Sequence, residues 1–396
     1  MAGNPLSDIF RIKELKDRIF FTLFWLMVFR VGAFLPLPGI NASALQSYFA
    51  SQSGGTSGIT DYLDFFAGGA FKNFSLFMMG VMPYISTQII LQLLLIVFPK
   101  LKAIAEEDGG RKKLARWTKI GTLAVCAIQG YSYTVYADRI PGAIVMDNRV
   151  MYTIVAILTV TTGTMFLIWI GEQITKRGIG NGISLLIFAG IVARLPNAVF
   201  ELVKKIQAGE INAVYAIVVI LMFVGIVALV VTEQQGQRKI PVNYAKRVVG
   251  RKMYGAQNTY IPFKINPSGV IPVIFASSLL TFPLQIAQSF GVQAKWLRDF
   301  SYWLRPQGFW YSFFYVVLIV FFAYFYTQVS LNPQEISKNI RENGGSIPGI
   351  RSEKMEEYLS RILNRIILPG SLYLALIALI PSLVQMLFNF PSELAY

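Results

Sequence analysis

Residues 68–98 read GGAFKNFSLFMMGVMPYISTQIILQLLLIVF. The stretch is apolar enough to lie in a membrane, yet it carries Lys72 near its start and the helix breakers Gly80 and Pro83 in its middle. A plain lipid-facing helix has no need of such residues. Backbone groups that they leave unpaired are tolerated at membrane depth only against protein or a water-filled cavity.

The breakers predict that the stretch forms two pieces. The first is a short amphipathic segment over about 68–79, and the second is a membrane span over about 81–98. Broken helices of this kind often line a site or a pathway in membrane proteins. An ordinary span with a kink fits the same residues, and the pattern alone does not decide between the two.

The composition predicts a helical protein that crosses the membrane many times. Hydrophobic residues make up 54% of the 396 residues and charged residues only 14%, well below the roughly 25% of soluble domains. Runs of about 20 apolar residues recur along the chain, as membrane spans require. The nine predicted spans cover about residues 19–35, 81–98, 120–136, 151–170, 179–195, 213–231, 270–290, 309–329 and 366–388.

Three segments outside these spans are assigned by composition. Residues 1–18 are polar and basic and are predicted to form an amphipathic surface helix. Residues 41–66 are rich in Ser and Gly and are predicted as an external loop. Residues 100–119 are predicted as a basic loop on the other side of the membrane.

The distribution of Lys and Arg predicts the orientation of the spans. Of the 36 basic residues, 26 lie on the side of the N-terminus, 9 lie on the opposite side and Arg30 lies inside the first span. Cytoplasmic loops carry an excess of Lys and Arg, so we expect the N-terminus to be cytoplasmic. This asymmetry explains most of the net charge of +15 without a nucleic-acid ligand.

The residue types argue against catalysis and against ion-coupled transport. The chain has no histidine and a single cysteine, Cys126, so the usual general base and transition-metal ligands are missing. No Gly-rich phosphate loop ending in Lys-Ser or Lys-Thr occurs. No Asp or Glu lies inside the predicted spans, where coupled transporters usually carry one. We expect a passage that is not an enzyme, that needs no metal or cofactor, and that another protein drives.

Two long basic loops are the next informative features. In residues 236–267, alternation around 239–242 and 259–265 predicts two strand-like arms that carry a basic tip. Residues 332–355 hold several Gly and Pro residues and predict a turn-rich loop that presents Arg351. Such loops fit docking on an acidic protein or on RNA phosphate. A solvated orientation signal that touches anionic lipid is the alternative.

Three apolar stripes occur at helical spacing. Residues four apart share one face of a helix, so aliphatic stripes of this kind could form a constriction that excludes water and ions. From the spacing alone, packing inside a bundle or against lipid is the more common explanation. The stripes are Val81, Ile85 and Ile89; Ile183, Ile187 and Ile191; and Val270 and Ile274, the last beside Ser277 and Ser278.

Several motifs, taken together, resemble those of one known family. The run GVMPYISTQIILQLL starts at Gly80 and resembles the second-span signature of SecY, the central subunit of the bacterial protein translocon. The other motifs follow in the same order and cover essentially the whole chain. They are GIGNGIS at 178–184, VNYAKR at 242–247, GRK at 250–252, GVIPVIFASS at 269–278, NP at 332–333 and PGIR at 348–351.

The resemblance implies an all-α polytopic membrane protein made of two inverted halves of five spans around a central pore. The halves would be residues 1–205 and 206–396, and the second would carry cytoplasmic loops at 232–268 and 331–362. The family has ten spans, whereas the nine predicted here end before Tyr396. We therefore expect a truncated form rather than a natural nine-span protein, so closure of the pore ring stays open.

The resemblance also implies roles for particular residues. A plug at about 68–79 would close the external funnel, with Gly68, Gly69, Ala70, Phe71, Lys72, Asn73, Phe74 and Ser75 as its first members. The pore ring would include Val81, Ile85, Ile89, Ile183, Ile187, Ile191 and Ile274. Thr87 and Gln92 would face Ser277 and Ser278 across a lateral gate. The docking residues would be Lys246, Arg247, Arg251, Lys252 and Arg351.

The implied function is a protein-conducting channel in the bacterial cytoplasmic membrane. It would pass unfolded secretory polypeptides across the membrane and release membrane spans sideways into lipid. The implied partners are the SecE and SecG subunits, the SecA motor ATPase, the protein and rRNA of the ribosome, secretory precursors with signal sequences, and the lipid bilayer. A secondary transporter and a membrane assembly factor without a pore are the alternatives; an intramembrane carboxylate would favour the first, and a lack of conductance after removal of the plug would favour the second.

Overall fold

The structure is a computed structural model that describes residues 12–51, 64, 67–107, 109–209, 213–244, 247–249, 252–254, 258–290, 303 and 308–388. It is mostly helical, with two small antiparallel sheets. The chain divides into two compact units, which are described separately. The first comprises residues 1–205, 281–306 and 390–396, and the second comprises residues 206–280 and 307–389.

The first unit is a helical bundle. Within it α5 packs on α3 and α6, and α6 also contacts α1 and α7. The side-chain oxygen of Asn148 accepts hydrogen bonds from the first amides of α6, and Asn181 does the same for α7. The helices are α1 (Lys13–Gly32), α2 (Ala42–Ser51), α3 (Met82–Val97), α4 (Pro99–Glu106), α5 (Gly110–Asp138), α6 (Arg149–Arg177), α7 (Gly182–Val192) and α8 (Leu195–Gln207).

The second unit combines helices with strands that follow α9. Its helix α10 runs past residue 280, and the later residues of α10 are assigned to the first unit. The helices are α9 (Ala213–Gln235), α10 (Ile271–Phe290), α11 (Phe309–Ser330), α12 (Pro333–Glu342) and α13 (Met355–Phe388). The strands are β1 (Gln237–Tyr244), β2 (Arg247–Val249), β3 (Lys252–Tyr254), β4 (Asn258–Lys264) and β5 (Gly345–Ser346).

The strands join the two predicted basic loops into one folded element. β1 pairs with β4 from Gln237↔Lys264 to Asn243↔Asn258, so the two predicted strand-like arms are confirmed. β1 also pairs with β5, which belongs to the second loop. An apolar cluster beneath this sheet contains Ile240, Val242, Phe263, Ile340, Ile347, Met355 and Leu359. We call β1, β4, β5 and α12 the loop module.

All nine predicted spans coincide with helices, but fewer of these helices have the length and composition of a span. Within the described ranges, four helical stretches could cross a membrane by those criteria. They are Arg149–Arg177 (α6), Gly182–Lys204 (α7 with α8), Phe309–Glu342 (α11 with α12) and Ser352–Leu383 (mostly α13). Met82–Leu95 and Pro99–Ala105 form a fifth only if their 105° bend is counted as one broken span. Ile220–Gln235 and Ile271–Thr281 are shorter apolar helices. The number nine stays a prediction.

Several segments predicted as loops contain helices. Residues 41–66 include α2, which Asn41 caps by accepting a hydrogen bond from the Ser43 amide at 3.1 Å. Residues 100–119 fall mostly within α4 and α5, because Pro99 fixes a helical first turn and the residues after it are good helix formers. Residues 332–355 begin with α12 for a related reason: Asn332 caps it and Pro333 follows. At the N-terminus, α1 starts at Lys13 and runs on through most of the first predicted span to Gly32, whereas the part of the predicted surface helix before residue 12 lies outside the described residues.

Candidate functional site

Residues 68–81 form a run of turns that leads directly into α3, and we call them the turn segment. The predicted division into two pieces is therefore confirmed. Most side chains of the first piece are buried, whereas the polar Lys72 and Asn73 are partly exposed, and its predicted amphipathic character stays a prediction. The side chains exposed by 4% or less are Ala70, Phe71, Phe74, Ser75, Phe77, Met78, Met79 and Val81.

The backbone of the turn segment is held by the residues that follow α1. The amide of Leu37 donates to the Phe74 carbonyl oxygen at 2.8 Å, and the amide of Leu76 donates to the Leu35 carbonyl oxygen at 2.9 Å. Pro36 and Ser75 form an antiparallel bridge between these two bonds. Hydrogen-bond partners for non-helical backbone therefore come from within the protein, as membrane depth requires.

Aromatic rings from three helices enclose the side chains of the turn segment. Phe77 stacks on Phe29 of α1, with ring centroids 6.0 Å apart, and on Phe166 of α6 at 6.2 Å. On the other side, Phe71 contacts Tyr133 of α5 edge-on at 5.5 Å. Phe74, whose φ of +43° is unusual for a residue with a side chain, stacks on Tyr136 of α5.

Glycines on the surrounding helices let the turn segment approach closely. A Cβ atom added to Gly163 of α6 would lie 2.1 Å from the Leu76 carbonyl oxygen, which is far inside contact distance. A Cβ added to Gly32 of α1 would overlap the Phe77 ring at 2.0 Å. Near α7, a Cβ added to Gly68 would lie 2.7 Å from the Gly190 Cα atom. Helices α1, α6 and α7 thus form a socket for the segment.

Charged side chains bind the start of the turn segment. Arg30 Nη1 of α1 donates to the Gly68 carbonyl oxygen at 2.8 Å, so this arginine of the first predicted span is paired. Asp64 lies just before the segment, and its side chain is only 2% exposed. Its Oδ1 accepts a hydrogen bond from the Lys72 amide at 2.9 Å, and its Oδ2 lies 3.3 Å from Arg194 Nη2.

Asp64 was not among the predicted site residues. It falls in the predicted external loop over 41–66, and Arg194 lies near the end of the predicted span over 179–195. The two residues are distant in the chain, and the only local hint is an acidic side chain next to a Gly-rich apolar run. Pairing of this kind becomes visible only when α7 is placed beside the turn segment.

The first predicted stripe is buried: Val81 lies just before α3, and Ile85 and Ile89 lie within it. Ile183, Ile187 and Ile191 lie at helical spacing in α7 and are partly exposed. Both α3 and α7 pack on α6, so one helix supports both stripes. Ile274 of α10 is partly exposed and belongs to the second unit. A ring formed by all of these residues stays a prediction.

The four predicted gate residues have polar side chains in apolar helices. Thr87 is buried, its hydroxyl donates to the Pro83 carbonyl oxygen at 2.8 Å, and its methyl group meets Gly121 of α5. Oε1 of Gln92 is buried without a hydrogen-bond partner among the described residues. Ser277 and Ser278 are buried in α10, and both hydroxyls donate to the Ile274 carbonyl oxygen.

The predicted docking residues are placed in part. Lys246 and Arg251 lie outside the described residues, whereas Arg247 and Lys252 lie in β2 and β3, which pair with each other. Arg351 is exposed, and it follows a turn in which Gly349 has a φ of +80°. For metals, the described part of the chain holds no group of three His, Cys, Asp or Glu residues that could bind an ion.

Comparisons with known proteins agree on one family. The SecY family model matches residues 75–394. Protein translocase subunit SecY of Borreliella burgdorferi is 48% identical over 390 residues, which cover 98% of this chain and 88% of the relative. The subunit of the same name from Escherichia coli K12 is 41% identical, covering 97% and 88%. This chain belongs to the SecY family.

Solved channel structures share the fold of this SecY-family chain. One described as "The structure of a protein conducting channel" matches with a TM-score of 0.68 at 19% identity, covering 96% of this chain and 88% of that one. Sec61 in a canine ribosome-channel complex matches with a TM-score of 0.62 at 17% identity over the same shares. Another match, with a TM-score of 0.65 at 17% identity and the same coverage, is a SecY whose plug domain stabilises the closed state.

Proposed function

We propose that this SecY-family protein-translocation channel is closed by its turn segment, which acts as a plug over the apolar stripes of α3, α7 and α10. Unfolded secretory polypeptides would pass once the plug is displaced. The observation that carries the proposal is the turn segment itself: it is non-helical, almost wholly buried and continuous with the α3 stripe. A non-helical insertion in an apolar bundle is costly unless it has a role, because every backbone group needs a partner inside the protein.

The stripes suit a seal that yields to a polypeptide. Val81, Ile85 and Ile89 present branched aliphatic side chains without hydrogen-bonding groups. Narrow apolar constrictions exclude ions by dewetting, since ions would lose their hydration shells without compensation. The same side chains adapt around an extended chain because none of them must form a directed bond. Ile183, Ile187, Ile191 and Ile274 would complete the ring.

Membrane segments of a substrate would leave sideways between α3 and α10. A segment of about 20 apolar residues is more stable in lipid than in an aqueous path, so an opening to lipid is enough to select it. Thr87 and Gln92 on α3 and Ser277 and Ser278 on α10 supply polar contacts at membrane depth. We propose that these residues line the lateral gate and set how apolar a segment must be to open it.

The loop module, together with the paired strands β2 and β3 and the PGIR turn at Arg351, is the proposed docking surface for the protein that drives transport. The PGIR turn at Arg351 and the basic residues around β2 and β3 offer positive charge to SecA or to ribosomal RNA and protein. SecE and SecG are the proposed companion subunits. The excess of Lys and Arg on this side supports a cytoplasmic N-terminus in the bacterial cytoplasmic membrane.

Ion leak through the resting channel tests the proposal. Deletion of residues 68–79 in the full chain, assembled with its companion subunits in proteoliposomes, should raise ion conductance well above that of the unaltered channel. Ile85→Asn should raise conductance less and should let precursors with defective signals pass. The matched control is Ile90→Asn on the same helix, because Ile90 is 48% exposed and Ile85 only 5%. Conductance at the unaltered level after deletion would refute the plug.

A further inference from the structure

Two arginines hold the start of the turn segment by contacts with different chemistry. Arg194 lies just beyond α7 and forms an ion pair with Asp64, whereas Arg30 of α1 binds the Gly68 carbonyl oxygen. Both contacts are made to residues at or before the first glycine of the segment. The segment is therefore attached by charged groups at one end, while backbone hydrogen bonds to residues 35–37 and aromatic packing hold the residues that follow.

Asp64 also shapes the turn itself. Its Oδ1 accepts a hydrogen bond from the Lys72 amide at 2.9 Å, and its carbonyl oxygen accepts one from the Gly69 amide at 3.0 Å. One residue, through its carbonyl and its carboxylate, thus ties together the first turns of the segment and connects them to Arg194 near α7. Displacement of the segment from its socket must separate this carboxylate from Arg194, or carry both away.

The burial of the two partners is unequal, and this matters for the energy of displacement. The Asp64 side chain is 2% exposed and that of Arg194 is 30% exposed. A buried carboxylate without its partner is strongly unfavourable, whereas a partly exposed guanidinium recovers water more easily. The ion pair therefore favours the seated segment over any state in which Asp64 stays buried and Arg194 moves away.

We propose that Asp64, Arg194 and Arg30 are positioning residues that form a latch on the plug and set how readily the channel opens. This inference rests on the proposed plug function of the turn segment. With the latch intact, an arriving polypeptide must supply the free energy that separates Asp64 from Arg194. Weakening of the latch shifts the resting equilibrium toward the open state, so that ions leak and poor signals gain passage.

Ion leak of the full-length protein in its complex, reconstituted in proteoliposomes, tests the latch. Asp64→Asn retains the shape of the side chain and an oxygen for the Lys72 amide but removes the charge that attracts Arg194. We expect Arg194→Gln to raise the leak about tenfold or more, because it leaves the buried Asp64 carboxylate without this guanidinium. Asp64→Asn should raise the leak by a smaller factor, because the Arg194 side chain that remains is partly exposed. Arg194→Lys, which keeps the charge, should restore most of the seal.

The double variant distinguishes a pair from two separate effects. If the residues act together, Asp64→Asn with Arg194→Gln leaks no more than the worse single variant, since the second change removes nothing further. Leaks that multiply in the double variant would overturn the latch. The matched control is Arg149→Gln, which removes an ion pair with Asp138 whose side chains are 66% and 43% exposed; its leak should equal that of the unaltered protein, because exposed pairs contribute little.

Deletion of residues 68–79 separates failure of the latch from failure of the proposed function. If the deletion leaks and both single variants are as tight as the unaltered channel, the latch is refuted and the plug stands. If the deletion does not leak, the plug is refuted and the latch with it. If the deletion, Asp64→Asn and Arg194→Gln all leak, with Arg149→Gln tight, both are supported.

Discussion

The turn segment and the loop module are both non-helical parts of a helical protein, and they are stabilised in different ways. The turn segment forms no strand ladder of its own, and some of its backbone hydrogen bonds reach residues 35–37. Its side chains pack in the socket of α1, α6 and α7 and against α5. The loop module pairs its own strands, β1 with β4 and β5, over an apolar cluster contributed by its neighbours in sequence and by α13.

The difference indicates what each part can do. A segment held by contacts from outside itself can leave its socket by breaking the short bridge to residues 35–37 and its side-chain packing, so it suits a part that moves during opening. A module with internal pairing keeps its shape when forces act on it, so it suits a docking surface. The predictions below test this contrast, beginning with the change that should have the largest effect.

The socket should fail if a glycine beneath the turn segment gains a side chain. Gly163→Val places atoms where the Leu76 carbonyl oxygen lies, since even a Cβ would approach within 2.1 Å. Overpacking of this kind costs about 3 kcal/mol or more when backbone must move. We expect lower amounts of the folded protein in membranes and a large ion leak from what remains.

Helix α9 provides the control for this substitution. Gly225 is also a helical glycine, but a Cβ there would meet nothing within 4 Å. Gly225→Val should leave membrane levels and conductance unchanged. Equal losses for Gly163→Val and Gly225→Val would mean that the effect comes from helix propensity, not from the socket.

The loop module should lose its shape when a charge enters its apolar cluster. Val242 of β1 is completely buried, so Val242→Asp leaves an unpaired carboxylate under the sheet at a cost of about 3 kcal/mol. We expect protease cleavage within residues 237–264 and loss of binding to the motor or ribosome, both measured on purified protein. The resting ion leak should not change. A raised leak would show that the two regions are coupled and would contradict the contrast drawn above.

The smallest effect on stability is expected at the exposed tip of the second loop. Arg351→Ala should change the free energy of unfolding by less than about 0.5 kcal/mol, because surface substitutions away from packed features rarely do more. Binding to SecA or ribosomes should weaken about tenfold if this arginine is a central docking contact. Arg361→Ala is the control, since Arg361 is exposed and pairs only locally with Glu357. Equal binding losses for both variants would assign the effect to net charge.

The two regions also differ in how far the sequence predicted them. The arms of the loop module were predicted correctly, because alternation along β1 and β4 is a local pattern and the partner strands are near in sequence. The break before α3 was likewise predicted from Gly80 and Pro83. The turn conformation of residues 68–81 was not, since it depends on Gly32, Gly163 and aromatic rings from distant helices.

The charged residues show the same limit. Arg30 was placed inside the first predicted span, and its partner is a backbone carbonyl that composition cannot reveal. Asp64 was assigned to an external loop because nothing near it in sequence signals Arg194. Helices α2, α4 and α12 were predicted as loops because their segments are polar, although a capping Asn or a leading Pro marks the start of each helix. Local patterns were therefore sufficient for the long apolar helices and the strand arms, and distant partners determined the site.

Site-specific photo-crosslinking from residue 85 tests the central claim most directly. A photoreactive side chain replaces Ile85 in the full-length protein in native membranes, and a secretory precursor is stalled at several lengths; a probe at Ile90 serves as the control. The account predicts strong adducts from residue 85 at every length that spans the channel, with few from residue 90. Absence of adducts from residue 85, while a probe at Arg351 still crosslinks to the motor or ribosome, would contradict passage of the polypeptide along the α3 stripe.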